Sequence, residues 1–251
     1  MTATLIQTPQ PGVVLKNISW QTYESLVNEL AEQRGIRLTY DRGTLEIMTP
    51  SDPHEGNKQI LGRFVETVTE ELNVEIRSLG SRTCKREDLA RGLEPDQCYY
   101  IENEEIVRSL NQINLNQDPP PDLVVEIDIT SSSINRLELY ASLGVPEVWR
   151  YDGSRLIFYQ LEGPEYLERE VSPHFPFLSP SEIMGFLETQ KDVGETSMIR
   201  GFRQWVRSQI QSGEWRRAIA YGIDLLHDLF SADRSHRRDA RATKKTPIYH
   251  S

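Results

Sequence analysis

The stretch PDLVVEIDIT, residues 121–130, decides the fold. Val, Ile and Leu fill most of it, and Asp-Pro-Pro before it and Ser-Ser-Ser after it bound it, so it predicts a central strand buried on both faces. Glu126 and Asp128 interrupt this apolar run, and their spacing of two places both side chains on one face of the strand. Two buried carboxylates repel each other unless positive charge lies beside them. A divalent metal or a pair of Arg or Lys side chains would supply that charge.

The composition suits one globular domain of moderate size: 251 residues, 37% hydrophobic and 26% charged. A formal net charge of −10 argues against broad binding of nucleic acid over the whole surface, but leaves room for a local basic groove. Cys84 and Cys98 are too few for a disulfide framework and match no zinc spacing, which favours free thiols in a reducing cytosol. Without a membrane-length apolar run or a signal-like N-terminus, we expect a soluble cytoplasmic protein with no membrane partner.

Alternating helix and strand patterns predict an α/β domain over residues 18–190, after an extended lead-in over 1–17. Strands are predicted at 36–40, 44–48, 74–79, 95–101, 121–130, 147–151 and 155–160, with one more after 165. Helices are predicted at 19–34, 54–72, 180–187 and 197–210, and from a Ser132 or Ser133 cap to about 143. The strand, helix and strand from 121 to 151 indicate a right-handed βαβ unit.

The C-terminal part is predicted to differ from this domain. Residues 191–232 favour helices, one of them at 215–230. Residues 234–251 carry a net charge of +5, and we expect a solvated tail outside the fold, with nucleic-acid contact as the alternative.

Acidic residues on neighbouring elements point to metal-assisted chemistry. Asp96 opens one predicted strand, and Glu126 and Asp128 lie on the next. Glu66 or Glu55, on the long preceding helix, can approach them. Phosphodiester hydrolysis uses such carboxylates to hold a divalent ion, and hard oxygen ligands suit Mg²⁺ or Mn²⁺ rather than zinc.

Four segments carry a family resemblance: Met48-Thr49-Pro50 with His54 after it, Pro95-Asp96, residues 121–127, and Tyr140 with residues 144–149. On these segments the chain from about 37 to 159 resembles the Uma-type family, a cyanobacteria-rich domain family of unknown function. That family belongs to the PD-(D/E)XK nuclease superfamily.

The resemblance implies a restriction-endonuclease-like fold, with a mixed, strongly bent central sheet flanked by helices. It implies a Mg²⁺- or Mn²⁺-dependent endonuclease that cuts DNA, with a homodimer to cut both strands. Asp96 would be the first acid of the site and Glu126 the second, with the carbonyl of Ile127 as a third metal ligand. Glu66 would be the optional helix acid.

The sequence departs from the superfamily pattern at its lysine. Lys is expected two residues after the second acid, where this chain has Asp128. Family members often carry a Lys in the following helix, where this chain has Arg136. Arg stabilises charge on a phosphate but cannot deprotonate water near neutral pH. Lys85 could supply a mobile ammonium instead. The extra charge of Asp128 should tighten metal binding and weaken attraction for a phosphate.

Structural alternatives stand beside these roles. Asp96 could be a turn residue. Glu126 could form a buried ion pair with Arg136 or Arg150. Asp128 could cap the turn that follows it.

His54 precedes the long predicted helix, where capping or solvent exposure is the common role. A proton shuttle is the alternative, because the ordinary pKa of histidine suits that task.

Two other functions remain open at this stage. The first is a nuclease-like fold that binds nucleic acid or a protein without cutting, favoured by Asp128 in the lysine position and by the acidic body. The second is a hydrolase that uses Glu126 and Asp96 as a metal-free acid/base pair.

Overall fold

A computed structural model describes residues 4–7, 12–31, 35–129 and 134–213. In that part of the chain two six-stranded sheets are flanked by six helices, which confirms the predicted mixed α/β class. Contacts divide the chain into a unit from Met1 to Val206 and a second from Arg207 to Ser251. The predicted helix at 215–230 and the predicted basic tail lie outside the described residues.

The strands are β1 Thr4–Gln7, β2 Gly12–Lys16, β3 Arg37–Asp41, β4 Thr44–Met48, β5 Arg77–Ser78, β6 Cys84–Arg86, β7 Arg91–Leu93, β8 Gln97–Tyr100, β9 Leu123–Ile127, β10 Glu147–Tyr151, β11 Leu156–Glu162 and β12 Glu165–Arg169. The helices are α1 Trp20–Glu29, α2 Asp52–Leu72, α3 Glu104–Val107, α4 Arg136–Leu143, α5 Pro180–Val193 and α6 Glu195–Ser212.

The first sheet has the order β1-β2-β4-β3-β7-β6, and its pairs are antiparallel. In the lead-in, residues 4–7 form β1 and residues 12–16 form β2, which joins the first sheet by pairing with β4. The predicted β3–β4 hairpin is confirmed: Arg42 and Gly43 have φ of 44° and 93°, as two-residue hairpin turns require. The β6–β7 hairpin was not predicted, because its strands are short, polar and mixed in charge.

The second sheet has the order β12-β11-β10-β9-β8-β5, and its strand β9 lies within the stretch 121–130. All five residues of β9 are buried, as predicted. β9 pairs in parallel with β10, and α4 connects the two strands, which confirms the βαβ unit. The strand ends at Ile127, so Asp128 lies just beyond it. The predicted serine cap of α4 was wrong, because the Oδ1 of Asn135 accepts the hydrogen bond from Glu138 N at 3.3 Å.

Helices cover both faces of β8 and β9. Val124 and Cys98 share one buried cluster with Leu139 and Tyr140 of α4. On the opposite face α2 approaches so closely that a Cβ on Gly62 would lie 2.9 Å from the hydroxyl of Tyr99. The C-terminal end of β9 therefore lies between the N-terminal ends of α2 and α4.

The buried carboxylate of Glu147, at the start of β10, is satisfied by Trp149 on the same strand and by His174 in the loop after β12. Its Oε1 accepts a hydrogen bond from Trp149 Nε1 at 2.6 Å, and its Oε2 pairs with the ring of His174. Burial lowers the pKa of His174, but the negative charges of Glu147, Glu102 and Asp122 more than offset this. The pKa of His174 therefore lies above its ordinary value.

The stability of the protein should fall as the pH rises above about 6.5, the ordinary pKa of histidine. A raised pKa in the folded state means that the folded state binds the proton of His174 more tightly than the unfolded state does. The stabilisation from His174 is therefore complete below the unfolded-state pKa and is lost as the pH rises through the folded-state pKa. Urea denaturation of wild type and His174→Gln between pH 5.5 and 8.5 measures it. We expect a shallower pH dependence in the variant; an equal slope in both proteins would contradict the assignment.

Candidate functional site

A small pocket lies at the C-terminal end of β9, with a volume of about 10 Å³, room for roughly one water molecule. Its lining comes from both sheets, α2 and α4: Arg37, Met48, His54, Glu94, Asp96, Glu126, Ile127, Asp128 and Arg136. The fold therefore brings together most of the residues that the sequence singled out.

Asp96 lies directly before β8 and connects three elements. Its Oδ2 accepts a hydrogen bond from Ile127 N at 2.8 Å and lies 3.2 Å from His54 Nε2. Its Oδ1 accepts no hydrogen bond from the described residues. The side chain is almost fully buried. Asp96 is thus held in one orientation with one carboxylate oxygen still open, which a simple turn residue would not require.

Both oxygens of Glu126 are held by one turn of α4. Its Oε1 forms an ion pair with Arg136 Nε, and its Oε2 accepts a hydrogen bond from the Tyr140 hydroxyl at 2.6 Å. Arg136 and Tyr140 are four residues apart, so they lie on the same helix face. Burial raises the pKa of Glu126 to about 7; Arg136 opposes this shift and Asp96 adds to it. Of the two arginines predicted as ion-pair partners, the structure selects Arg136.

Arg136 is a fixed cation. Its Nη1 donates to Thr39 Oγ1 and its Nη2 to the carbonyl of Glu94, both at 2.7 Å. Thr39 is on β3 and Glu94 follows β7, so both contacts reach the first sheet. With its third contact to Glu126, the guanidinium is held from three directions. It can therefore present positive charge at the pocket without having to be ordered by a substrate.

His54 is buried, with 3% of its surface exposed, although its position before a helix favoured solvent exposure. α2 begins earlier than predicted, at Asp52, which places His54 inside the first turn and against Asp96. Burial lowers the pKa of His54, but the hydrogen bond and charge of Asp96 more than offset this, so the pKa lies above its ordinary value. His54 therefore helps to hold the orientation of Asp96.

Asp128 is paired with its own arginine. Its Oδ2 accepts hydrogen bonds from Arg150 Nε at 3.0 Å and Nη2 at 2.5 Å. Arg150 lies on β10 directly beside Glu126 in the strand register. The two carboxylates of the opening stretch are thus compensated by two arginines, Arg136 and Arg150. The negative charge of Asp128 at the pocket is therefore already compensated by Arg150.

Two predicted residues lie away from the pocket. Lys85 Nζ pairs with Glu24 Oε1 of α1 at 2.8 Å. Glu66 is exposed in the middle of α2 and does not line the pocket. Their proposed roles stay predictions.

Asp122, at the entrance of β9, accepts backbone hydrogen bonds from Ile101 and Asn103 and holds the chain after β8.

Sequence reasoning missed Arg37, Glu94 and Tyr140. Glu94 directly precedes Pro95-Asp96, which was a usable signal; its side chain accepts from Thr83 Oγ1 at 3.0 Å, and burial raises its pKa. Arg37 opens β3 and donates to Ser81 Oγ at 2.8 Å, a contact between residues 44 positions apart. Tyr140 was named only among the residues that carry the family resemblance, and its hydroxyl gives no sequence signal for a carboxylate partner.

The donor set fits a hard divalent ion. Among the described residues no group of three or more His, Cys, Asp or Glu side chains could hold a metal. Mg²⁺, however, is commonly held by one or two carboxylates, with water and phosphate oxygens completing its shell. Asp96 and Glu126 both line the pocket, and Asp96 Oδ1 is open. An ion here would share Glu126 with Arg136.

The family model for Uma2, described as "putative restriction endonuclease", matches residues 20–189, and the chain therefore belongs to this family. A crystal structure described as a "putative nuclease belonging to DUF820", from Anabaena variabilis, is similar at 15% identity and a TM-score of 0.40, over 59% of this chain and 89% of that one. No curated protein matches. In the described part of the chain, every helix is too short or too polar to cross a membrane.

Removal of the Tyr140 hydroxyl should destabilise the protein by about 1–3 kcal/mol, because a buried oxygen of Glu126 loses its donor. Urea denaturation of Tyr140→Phe measures this. Tyr151→Phe is the matched control, since that hydroxyl donates only to the carbonyl of Gly153 in a partly buried turn. Equal losses in the two variants would contradict a special role for the contact with Glu126.

Proposed function

We propose that this protein is an endonuclease that hydrolyses phosphodiester bonds of DNA with the help of Mg²⁺ or Mn²⁺. The observation that supports this most is the meeting of Asp96, Glu126 and Arg136 at one pocket, although they come from three separate segments. Membership of a family described as "putative restriction endonuclease" agrees with a nucleic-acid substrate.

Asp96 and Glu126 would hold the ion, with the carbonyl of Ile127 as a further oxygen ligand. Such an ion, when bound, polarises a phosphoryl oxygen and lowers the pKa of a bound water. Ile127 N and His54 keep Asp96 aimed at the pocket.

Arg136 takes the place of the superfamily lysine as a source of positive charge for the phosphate. A guanidinium stays protonated, so Arg136 stabilises charge and does not accept the proton of the attacking water. Cutting of both DNA strands would need two such sites, and a homodimer is part of the proposal.

A second candidate is a nuclease-like protein that binds nucleic acid without cutting it. It is favoured by one observation: Arg136 and Tyr140 already engage both oxygens of Glu126. If that arrangement persists in solution, a divalent ion must compete with Arg136 for the carboxylate.

Incubation with supercoiled plasmid and Mg²⁺ or Mn²⁺ tests the two candidates. Wild type should nick the plasmid, and Glu126→Gln and Asp96→Asn should each reduce the rate by at least about a hundredfold, because each removes a carboxylate that the ion requires. Glu104→Gln is the matched control: Glu104 is also buried and paired with an arginine, Arg108, but lies outside the pocket.

Nicking by wild type and Glu104→Gln alone would support the nuclease. Nicking that persists without any divalent ion would instead favour a metal-free acid/base pair. If all proteins leave the plasmid intact but shift DNA in a gel, the non-cutting binder is the better account.

A further inference from the structure

A larger chamber opens beside the pocket, with a volume of about 320 Å³. It is lined by Glu126, Asp128, Ile134, Asn135, Arg136, Leu137, Tyr140 and Arg150. Glu126, Asp128 and Arg136 line both spaces, so the chamber continues directly from the proposed reaction site. Its volume falls within the range of sites that enclose small ligands. A group bonded to the reacting phosphate could therefore extend into this chamber.

The walls of the chamber have two different characters. Ile134 and Leu137, at the start of α4, give one apolar side. Asp128 and Arg150, at the ends of β9 and β10, give a charged side. Such a space suits a ligand with a flat apolar body and a polar edge.

The carboxylate of Asp128 determines which polar group of a ligand can bind at the charged side of the chamber. Arg150 engages only Oδ2 of Asp128, and Oδ1 accepts no hydrogen bond from the described residues. A carboxylate oxygen is a hydrogen-bond acceptor alone. It pairs with a ligand that brings an N–H group, such as the amino group of cytosine.

We propose that this chamber binds one nucleobase of the substrate, next to the reacting phosphate, and prefers a base with an exocyclic amino group. The inference rests on the proposed function and adds to it a site for base selection. Where cytosine has its amino group, thymine has the O4 carbonyl, so an Asp128 oxygen aimed at that position would meet acceptor with acceptor. A base stacked inside a duplex cannot enter such a space, so the base must be single-stranded or flipped out.

Binding of short single strands tests the proposal without any cutting. Fluorescently labelled tetramers of dC and of dT are titrated with the full chain in EDTA at pH 7.5, and anisotropy gives the dissociation constants. Wild type should bind the dC tetramer about tenfold more tightly than the dT tetramer, the effect of roughly one good base contact. Asp128→Asn should remove or reverse this preference, because an amide can donate to a carbonyl oxygen.

Two further variants make the result specific. Asp88→Asn is the matched control, because Asp88 is also paired with an arginine, Arg86, but lies outside both spaces. It should keep the wild-type preference. Leu137→Trp puts a large side chain on the apolar wall and should weaken the binding of both tetramers at least tenfold. The circular dichroism spectrum of this variant should remain that of a folded protein.

Equal affinity of the wild type for the two tetramers would overturn the proposal, and so would dissociation constants above about 1 mM for both. So would a preference that survives Asp128→Asn unchanged. A clear dC preference in a protein that never nicks plasmid would support the base site while refuting the nuclease, so the two failures can be told apart.

Discussion

The ion pair between Glu126 and Arg136 is the interaction on which the site depends. Glu126 lies in the middle of a strand that is buried on both faces, where an uncompensated carboxylate would cost several kcal/mol. Arg136 compensates that charge, and its two other contacts reach Thr39 and the carbonyl of Glu94 on the first sheet. One side chain thus joins α4, the central strand and the neighbouring sheet at the point where the pocket lies.

This constraint also orders the rest of the charges. Asp96 comes to the same pocket from the other side, held by Ile127 N and His54. Asp128 is balanced separately by Arg150. At the edges of the two spaces, one oxygen of Asp96 and one of Asp128 accept no hydrogen bond from the described residues. Fixed positive charge beside open acidic oxygens is an arrangement suited to a metal and a phosphate together.

Much of this architecture could be predicted from local patterns. The apolar run of β9, the hairpin turns and the strand-helix-strand order gave the second sheet, because periodicity and turn residues act over short distances. Asp96 was identified from its position at the start of a predicted strand, and Glu126 from its position within an apolar strand. The role of Arg136 followed from the family resemblance, which places a cation in the next helix. The ion-pair alternative for Glu126 followed from the need of a buried carboxylate for compensating positive charge.

The rest depended on contacts that no local pattern encodes. The β6–β7 hairpin is held by pairing with β3, not by an apolar pattern of its own. His54 is buried because α2 begins two residues before it and meets the β7–β8 connection. Arg37 and Tyr140 join the site through partners that are distant in the chain or through a single hydroxyl group.

A double-mutant cycle tests the central claim most directly. The free energies of unfolding of wild type, Glu126→Gln, Arg136→Met and the double variant are measured by urea denaturation. If the two side chains form one buried pair, each single change leaves the other group uncompensated, and the coupling energy should be at least about 2 kcal/mol. Effects that add to within about 0.5 kcal/mol would contradict the account, because they would show that Glu126 and Arg136 act independently.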